Sequence, residues 1–244
     1  MWDNHQALDL LASSLFALVV LTTVYAASYW ALNLPVLPVK EVSVSGVNSS
    51  GGRLKHVTRE QINGAVRSEF IGSFLTVDLN AMCDVFTKLP WVRVASARRQ
   101  WPQRVEVTLE EHVALARWGE AALVNTHGEI FNGASDEKLP VFAGPEESAR
   151  DMVRQYAVFS KLLQPLQQNI EQINLSPRRA WQVHLENGTT LELGREQVEA
   201  RLERYVQVHD KSIAQFDQQL RYVDLRYPNG FAVRNDTAMG KKGI

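Results

Sequence analysis

A chain of 244 residues that is 45% apolar and 22% charged has the balance of a globular protein, with room for one large domain or two small ones. Its 26 basic and 27 acidic residues leave a net charge of −1, so it lacks the basic field that a nucleic-acid-binding protein presents. A single cysteine, Cys83, excludes an internal disulfide framework. Set in Ala81-Met82-Cys83-Asp84-Val85-Phe86, it reads as a small buried hydrophobe on the apolar side of a helix.

No charged residue occurs between Leu10 and Val39. Residues 10–33 are expected to form a transmembrane helix, because about 20 apolar residues span the roughly 30 Å of hydrocarbon. Residues 1–9 form a short tail before it. Tyr25, Tyr29 and Trp30 gather near the far end, where amphipathic rings favour the headgroup layer, and Pro35 and Pro38 stop the helix. A cleaved signal peptide is the competing reading, with Ala26, Ala27 and Ser28 as a possible cleavage site. The run is longer than a signal peptide needs and no Lys or Arg precedes it, so a retained anchor is the expectation. Charge does not fix its orientation: Asp3 and Asp9 precede the span and Lys40 follows it.

Beyond the span, Lys40 to Val47 alternates as a half-buried strand, and Asn48 to Gly52 is a loop. Thr58 caps a helix with Ile62, Val66 and Phe70 on one face, and a second short helix fits Asn80 to Lys88. Val92 and Val94 alternate with Arg93, and Val105, Val107 and Leu109 alternate with Glu106, Thr108 and Glu110. These predict two strands facing one side, joined by Gln100-Trp101-Pro102-Gln103. The order strand, helix, helix, strand, strand predicts a small α+β layer with both helices on one sheet face.

The remainder reads as short strands with flanking helices. Strands are expected over 113–118, 122–125 and 129–131, then a helix opened by Pro145-Glu146-Glu147 with Met152, Tyr156, Phe159 and Leu163 at helical spacing. A strand over 170–175 and a hairpin turning at Asn187-Gly188 follow. A long helix is expected from about Arg195 to Phe216. Tyr222 to Tyr227 and Phe231 to Arg234 form the last hairpin, about Pro228-Asn229-Gly230, and 237–244 is a loose tail. The whole is α+β, with a mostly antiparallel second part.

No catalytic or metal motif emerges. The six histidines fall on separate elements without metal-ligand spacing, and no nucleophile elbow, phosphate loop or dinucleotide fingerprint is present. Glu110-Glu111-His112 is the nearest approach to an acid/base cluster, but strand neighbours point to opposite faces. Arg93, Arg98, Arg99 and Arg104 form a local basic cluster, expected to be a solvated hairpin face. No enzyme activity, cofactor, metal or small-molecule substrate is expected.

Several strings together carry a resemblance. Leu89-Pro90-Trp91-Val92, Ala97-Arg98-Arg99-Gln100-Trp101-Pro102, and Val105-Glu106-Val107 running into Glu110-Glu111-His112 resemble the FtsQ/DivIB family of bacterial cell-division proteins. So do Arg178-Arg179-Ala180-Trp181, Leu191-Glu192-Leu193-Gly194-Arg195, and Tyr222-Val223-Asp224-Leu225-Arg226-Tyr227 with Asn229-Gly230-Phe231-Ala232-Val233. The resemblance implies a POTRA domain over 39–110 and a β domain over 111–236. It implies an inner-membrane, single-pass type II protein with its bulk in the periplasm, concentrated at the division septum.

The partners implied are FtsB and FtsL, with other divisome proteins reached through the POTRA domain and a link to septal peptidoglycan synthesis. Carried over by position, the FtsB contacts are Arg178, Arg226, Tyr227, Asn229, Gly230, Phe231 and Val233. An uncharged Phe231-Ala232-Val233 at a sheet edge suits strand addition by a partner segment. The family's Trp shortly after the final Ala-Val pair is missing here, where Arg234 and Asn235 follow Val233. The alternative is a POTRA protein of polypeptide transport or outer-membrane assembly.

Overall fold

The computed structural model describes residues 5–32, 39–47, 53–69, 74–209, 220–227 and 230–235. The chain opens with helix α1, His5–Leu32. Its apolar stretch Leu8–Trp30 is 23 residues long and has none of its surface buried, giving about 35 Å of helix, enough for a bilayer core. The hydroxyls of Ser14, Thr22 and Thr23 donate back to the carbonyls of Leu11 and Val19 at 2.7–2.9 Å, so these three polar side chains are satisfied within the helix. Pro35, Pro38 and the loop 48–52 lie outside the described residues. The remaining chain divides between Glu111 and His112 into two compact units.

The first unit holds β1 (Glu41–Gly46), α2 (Arg59–Glu69), α3 (Leu79–Thr87), β2 (Val92–Gln100) and β3 (Arg104–Glu111). The sheet order is β1-β3-β2, with β1 parallel and β2 antiparallel to β3. Thr58 and Gln61 form a reciprocal capping box at the start of α2, with bonds of 3.0 and 3.3 Å. Asp78 caps α3 by accepting from the amides of Asn80 and Ala81. Val105, Val107 and Leu109 bury one sheet face, and Met82 and Phe86 of α3 are buried with them. The expected pairing of Val92 with Val94 on one face fails: Val92 is buried and Val94 is 43% exposed. A bulge between them shifts the register, which turns Val94 to the outer face. Phe70 lies outside the described residues, and Cys83 is half-buried where full burial was expected. Burial still pushes its thiol pKa up, with the neighbouring Asp84 adding to this and a backbone bond at Ala97 opposing it.

The second unit is built on a nine-stranded sheet of order β12-β11-β10-β9-β8-β7-β4-β5-β6. Its strands are β4 (Ala114–Trp118), β5 (Ala122–Asn125), β6 (Ile130–Phe131), β7 (Val141–Ala143), β8 (Ile170–Leu175), β9 (Trp181–Leu185), β10 (Thr190–Gly194), β11 (Leu220–Asp224) and β12 (Ala232–Asn235). Five pairings are antiparallel and three are parallel, namely β4 with β7, β7 with β8 and β10 with β11. Helices α4 (Ala149–Leu163) and α5 (Val198–Val208) supply Met152, Phe159, Leu163, Leu202 and Tyr205 to a core with Phe142, Ile173, Val183, Leu191, Leu193 and Val223. The α5 helix starts three residues later than expected, because Gly194 and Gln197 both adopt left-handed backbone before it. Residues 210–219, to which the expected helix extended, and the tail 237–244 lie outside the described residues.

Candidate partner-binding edge

The three residues nearest to a catalytic cluster are separated by the fold. Glu110 pairs with Arg93 at 2.9 Å, across the sheet. The buried Glu111 carboxylate instead accepts from the backbone amides of Lys55, His56 and Val57 at 2.7–2.8 Å, fastening the segment before α2 to the end of β3. His56 then stacks on Trp91 with ring centroids 3.6 Å apart. His112 belongs to the second unit, where its Nδ1 lies 2.9 Å from Asn125 Nδ2. All three side chains are therefore committed to structure. Among the described residues, no group of three or more His, Cys, Asp or Glu side chains is placed to hold a metal ion.

The basic cluster dissolves in the same way. Arg98 pairs with Glu106 and Arg104 with Glu41, each at 2.9 Å, and these pairs lie on the outer sheet face as expected. Arg99 departs from that expectation. It turns towards the helices and donates to the carbonyls of Phe74 and Val77 at 3.0 and 2.6 Å, closing the end of the segment before α3.

The end of the second unit is different. In β11 the expected strand to Tyr227 stops at Asp224. The Asp224 carboxylate accepts from the Arg226 amide at 3.0 Å, a side-chain-closed turn that bends the chain out of the ladder. The amide of Leu225 still reaches Glu192 of β10 at 2.9 Å. The chain returns as β12, pairing Asp224 with Ala232, Val223 with Val233 and Tyr222 with Arg234. Among the described residues, β12 pairs with β11 alone, so its other side is a sheet edge.

Around this edge the seven expected contact residues fall into distinct places. Val233 lies opposite the buried Val223 in the register, yet is 51% exposed. Phe231 is half-buried against the core. Tyr227 is 55% exposed, and its carbonyl accepts from Arg204 of α5 at 3.0 Å. A methyl group at Gly230 would meet nothing within 4 Å, and Asn229 lies outside the described residues. Arg226 is clamped to Asp224 through Nε and Nη2, the shortest contact being 2.6 Å. That pairing holds the Asp224 carboxyl below the usual carboxylate range, against the opposing effect of burial, and raises the guanidinium above its own.

Arg178 lies elsewhere in sequence but at the same end of the sheet. It is exposed in the Ser176–Arg179 turn between β8 and β9, closed by an Arg179-to-Ser176 backbone bond of 2.8 Å. Registers pair Leu175 with Trp181, Trp181 with Gly194 and Glu192 with Asp224, so the two arginines are separated by two or three strand spacings, roughly 10–14 Å. Sequence reasoning missed Asp224, Arg201 and Arg204 as the supports of this edge. The Arg201–Arg204 spacing, three residues apart on a helix, is the signal available for two of them. Arg201 donates to the Leu193 carbonyl, and Gly194 leaves the space taken by the Arg201 guanidinium and the Arg226 stem.

The chain is similar to characterised proteins over nearly all of its length. The model of an FtsQ-type POTRA domain matches residues 37–112, and that of the C-terminal part of cell division protein FtsQ/DivIB matches residues 116–226. Cell division protein FtsQ of Nitrosospira multiformis is 60% identical over 234 residues, 96% of this chain and 99% of that protein. The proteins of the same name from Burkholderia pseudomallei and Neisseria gonorrhoeae are 39% and 33% identical, over 99% and 96% of this chain and 100% and 95% of their own lengths.

Proposed function

This chain belongs to the FtsQ/DivIB family of bacterial cell-division proteins, structural components rather than enzymes, and we propose that its β12 edge captures FtsB, held with FtsL, by strand addition. The α1 helix anchors it in the inner membrane, with the amino terminus in the cytoplasm and both globular units in the periplasm at the septum. The POTRA domain, which we place at residues 39–110, reaches other divisome proteins. The β domain, at residues 111–236, holds FtsB and so links early division proteins to septal peptidoglycan synthesis.

The observation that carries this reading is the open side of β12. Proteins usually blunt such an edge with charge, proline or a covering segment, because unpaired N–H and C=O groups template pairing with another chain. Phe231-Ala232-Val233 carries none of these charges, and Val233 is left half-exposed beside a buried neighbour. A partner strand would complete the ladder while an apolar side chain covers Val233. Arg178 and the outer edge of the Arg226–Asp224 clamp would meet acidic residues flanking that strand. Tyr227 and Phe231, with Asn229 and Gly230 of the turn, complete the contact.

Photo-cross-linking from positions 227, 231 and 233 in growing cells tests this. The expected adduct is with FtsB from all three positions. Adducts with a different protein, or no adduct with FtsB from any of the three, overturn the assignment of this edge.

A further inference from the structure

The turn between β2 and β3 exposes a large aromatic ring. Trp101 is 84% exposed, whereas Trp91, at the start of the same hairpin, is 9% exposed. Trp101 is followed by Pro102, and from Arg99 to Val105 the chain has no acidic residue. A scattered exposed apolar side chain is ordinary on a soluble surface. The position of this one in the fold is not.

The Lys40 amide donates to the Gln103 carbonyl at 2.9 Å, and Glu41 pairs in register with Arg104. The first residues of β1 therefore lie at the hairpin tip, and Lys40, Glu41, Gln100, Trp101, Pro102, Gln103 and Arg104 border one shallow depression. Helix α1 ends at Leu32, eight peptide steps before Lys40, a reach of at most about 28 Å. Of the two ends of the three-stranded sheet, the tip is the one at which the chain arrives from the anchor. The far end, at Gly46 and Leu109, lies a further strand length away.

We infer that the Gln100–Arg104 tip rests in the headgroup layer of the bilayer that α1 crosses, with the Trp101 ring as a second, interfacial contact. The inference rests on the membrane-anchor reading of α1. Tryptophan, with an apolar body and one N–H donor, is the side chain best suited to that layer. The charges around it suit anionic lipid. Lys40 is exposed and Arg99 donates to the neutral carbonyls of Phe74 and Val77, while Arg104 and Arg98 are offset by Glu41 and Glu106, so the residues around the tip carry two net positive charges. Two contacts, one spanning and one interfacial, restrict the tilt of the POTRA unit in a way that a single linker does not.

The full chain in nanodiscs of phosphatidylethanolamine and phosphatidylglycerol, made with and without lipids brominated on their acyl chains, provides the test. Emission of Trp101 is taken as the difference between wild type and Trp101→Phe, and that of Trp30 as the difference for Trp30→Phe. Quenching of both components is the expected result. A quenched Trp30 with an unquenched, water-exposed Trp101 overturns the inference and leaves the anchor standing. If neither is quenched, the anchor reading itself fails and takes the inference with it. A nitroxide at position 100 (Cys83→Ser, Gln100→Cys) asks the same question with Trp101 intact: oxygen accessibility above that of a water-soluble nickel chelate is expected, and the reverse order overturns the inference.

Discussion

The nine-stranded sheet of the second unit ends in two edge strands that are treated in opposite ways. At one end β6 is two residues long, and Phe131 is buried under His112, with ring centroids 4.1 Å apart. Behind it Asn125 is fully buried: its Oδ1 accepts from the amides of His127 and Glu129, and its Nδ2 reaches Glu129 and His112. The intervening Gly128 has φ +76°, and a Cβ there would approach Arg150 Cα to 2.6 Å. That end is short, stacked and locked. At the other end β12 is four residues long, exposed and uncharged over Ala232 and Val233. One edge is thus short and locked by its own side chains and the other is longer and uncharged where it faces outward, and the proposed strand addition at β12 rests on that difference.

The largest expected effect breaks the closed end. Asn125→Ala strands two backbone donors and removes both Nδ2 bonds at a buried side chain, so unfolding of the second unit should become easier by about 3 kcal/mol or more. Denaturant titration measures it. Capture of FtsB by the protein that remains folded should be unchanged, and a matching loss of affinity would show that the two ends are not independent. Next in size is a pair of prolines in β12. Along an antiparallel strand successive N–H groups point alternately to the neighbour and outward. Of Ala232→Pro and Val233→Pro, one therefore removes a bond to β11 and lowers the melting temperature, and the other removes only an outward donor. The second should keep the fold and weaken FtsB binding about a hundredfold, or about 2.7 kcal/mol, by titration calorimetry. Normal binding by both variants rules out strand addition.

How much of this was legible beforehand differs between the same regions. Alternation gave β3, β9 and β10, because each has one wet face and one dry one, and Asn187-Gly188 marked the hairpin between the last two. The first unit's helix-helix-strand-strand order followed from periodicity alone. β7 was missed: Val141-Phe142-Ala143, between Pro140 and Gly144, is buried between two parallel neighbours and too short to alternate. Its absence made the sheet look more antiparallel than it is. At the candidate edge the residues were named from family resemblance, since nothing local in Tyr227 or Phe231 distinguishes a docking ring from a core ring. The stop of β11 at Asp224 was not legible at all, because it depends on a carboxylate folding back on Arg226 instead of facing solvent.

Tyr227→Ala sharpens the open end with a smaller step. With the residue 55% exposed, the side chain contributes little to the fold, and the carbonyl held by Arg204 is unaffected by truncation. The melting temperature should stay within error of wild type while FtsB affinity falls by about 2 kcal/mol, some thirtyfold, as for a central anchor of an interface. Loss of folding instead would move Tyr227 into the core, and the open end would then be narrower than Val233 suggests.

The smallest effect lies midway between the two ends. His184 of β9 is held by Thr190 Oγ1 at 2.9 Å and Asn174 Nδ2 at 3.1 Å, in a polar ladder that runs on through Gln182 to Glu192. Burial lowers its pKa below the ordinary histidine value, against the opposing pull of Glu171 and Glu192. The unfolded chain then takes up the proton first as pH falls through about 6.5, so the folded form loses stability on acidification and holds its full share above that point. Stability of the second unit should decline between neutral pH and about pH 5, and His184→Gln, which keeps an amide in the ladder, should flatten that part of the slope. FtsB affinity of the folded protein over the same range should be alike in the two proteins. A pH-dependent affinity that vanishes in the variant would mean the ladder reaches β12 and couples the middle of the sheet to its open edge.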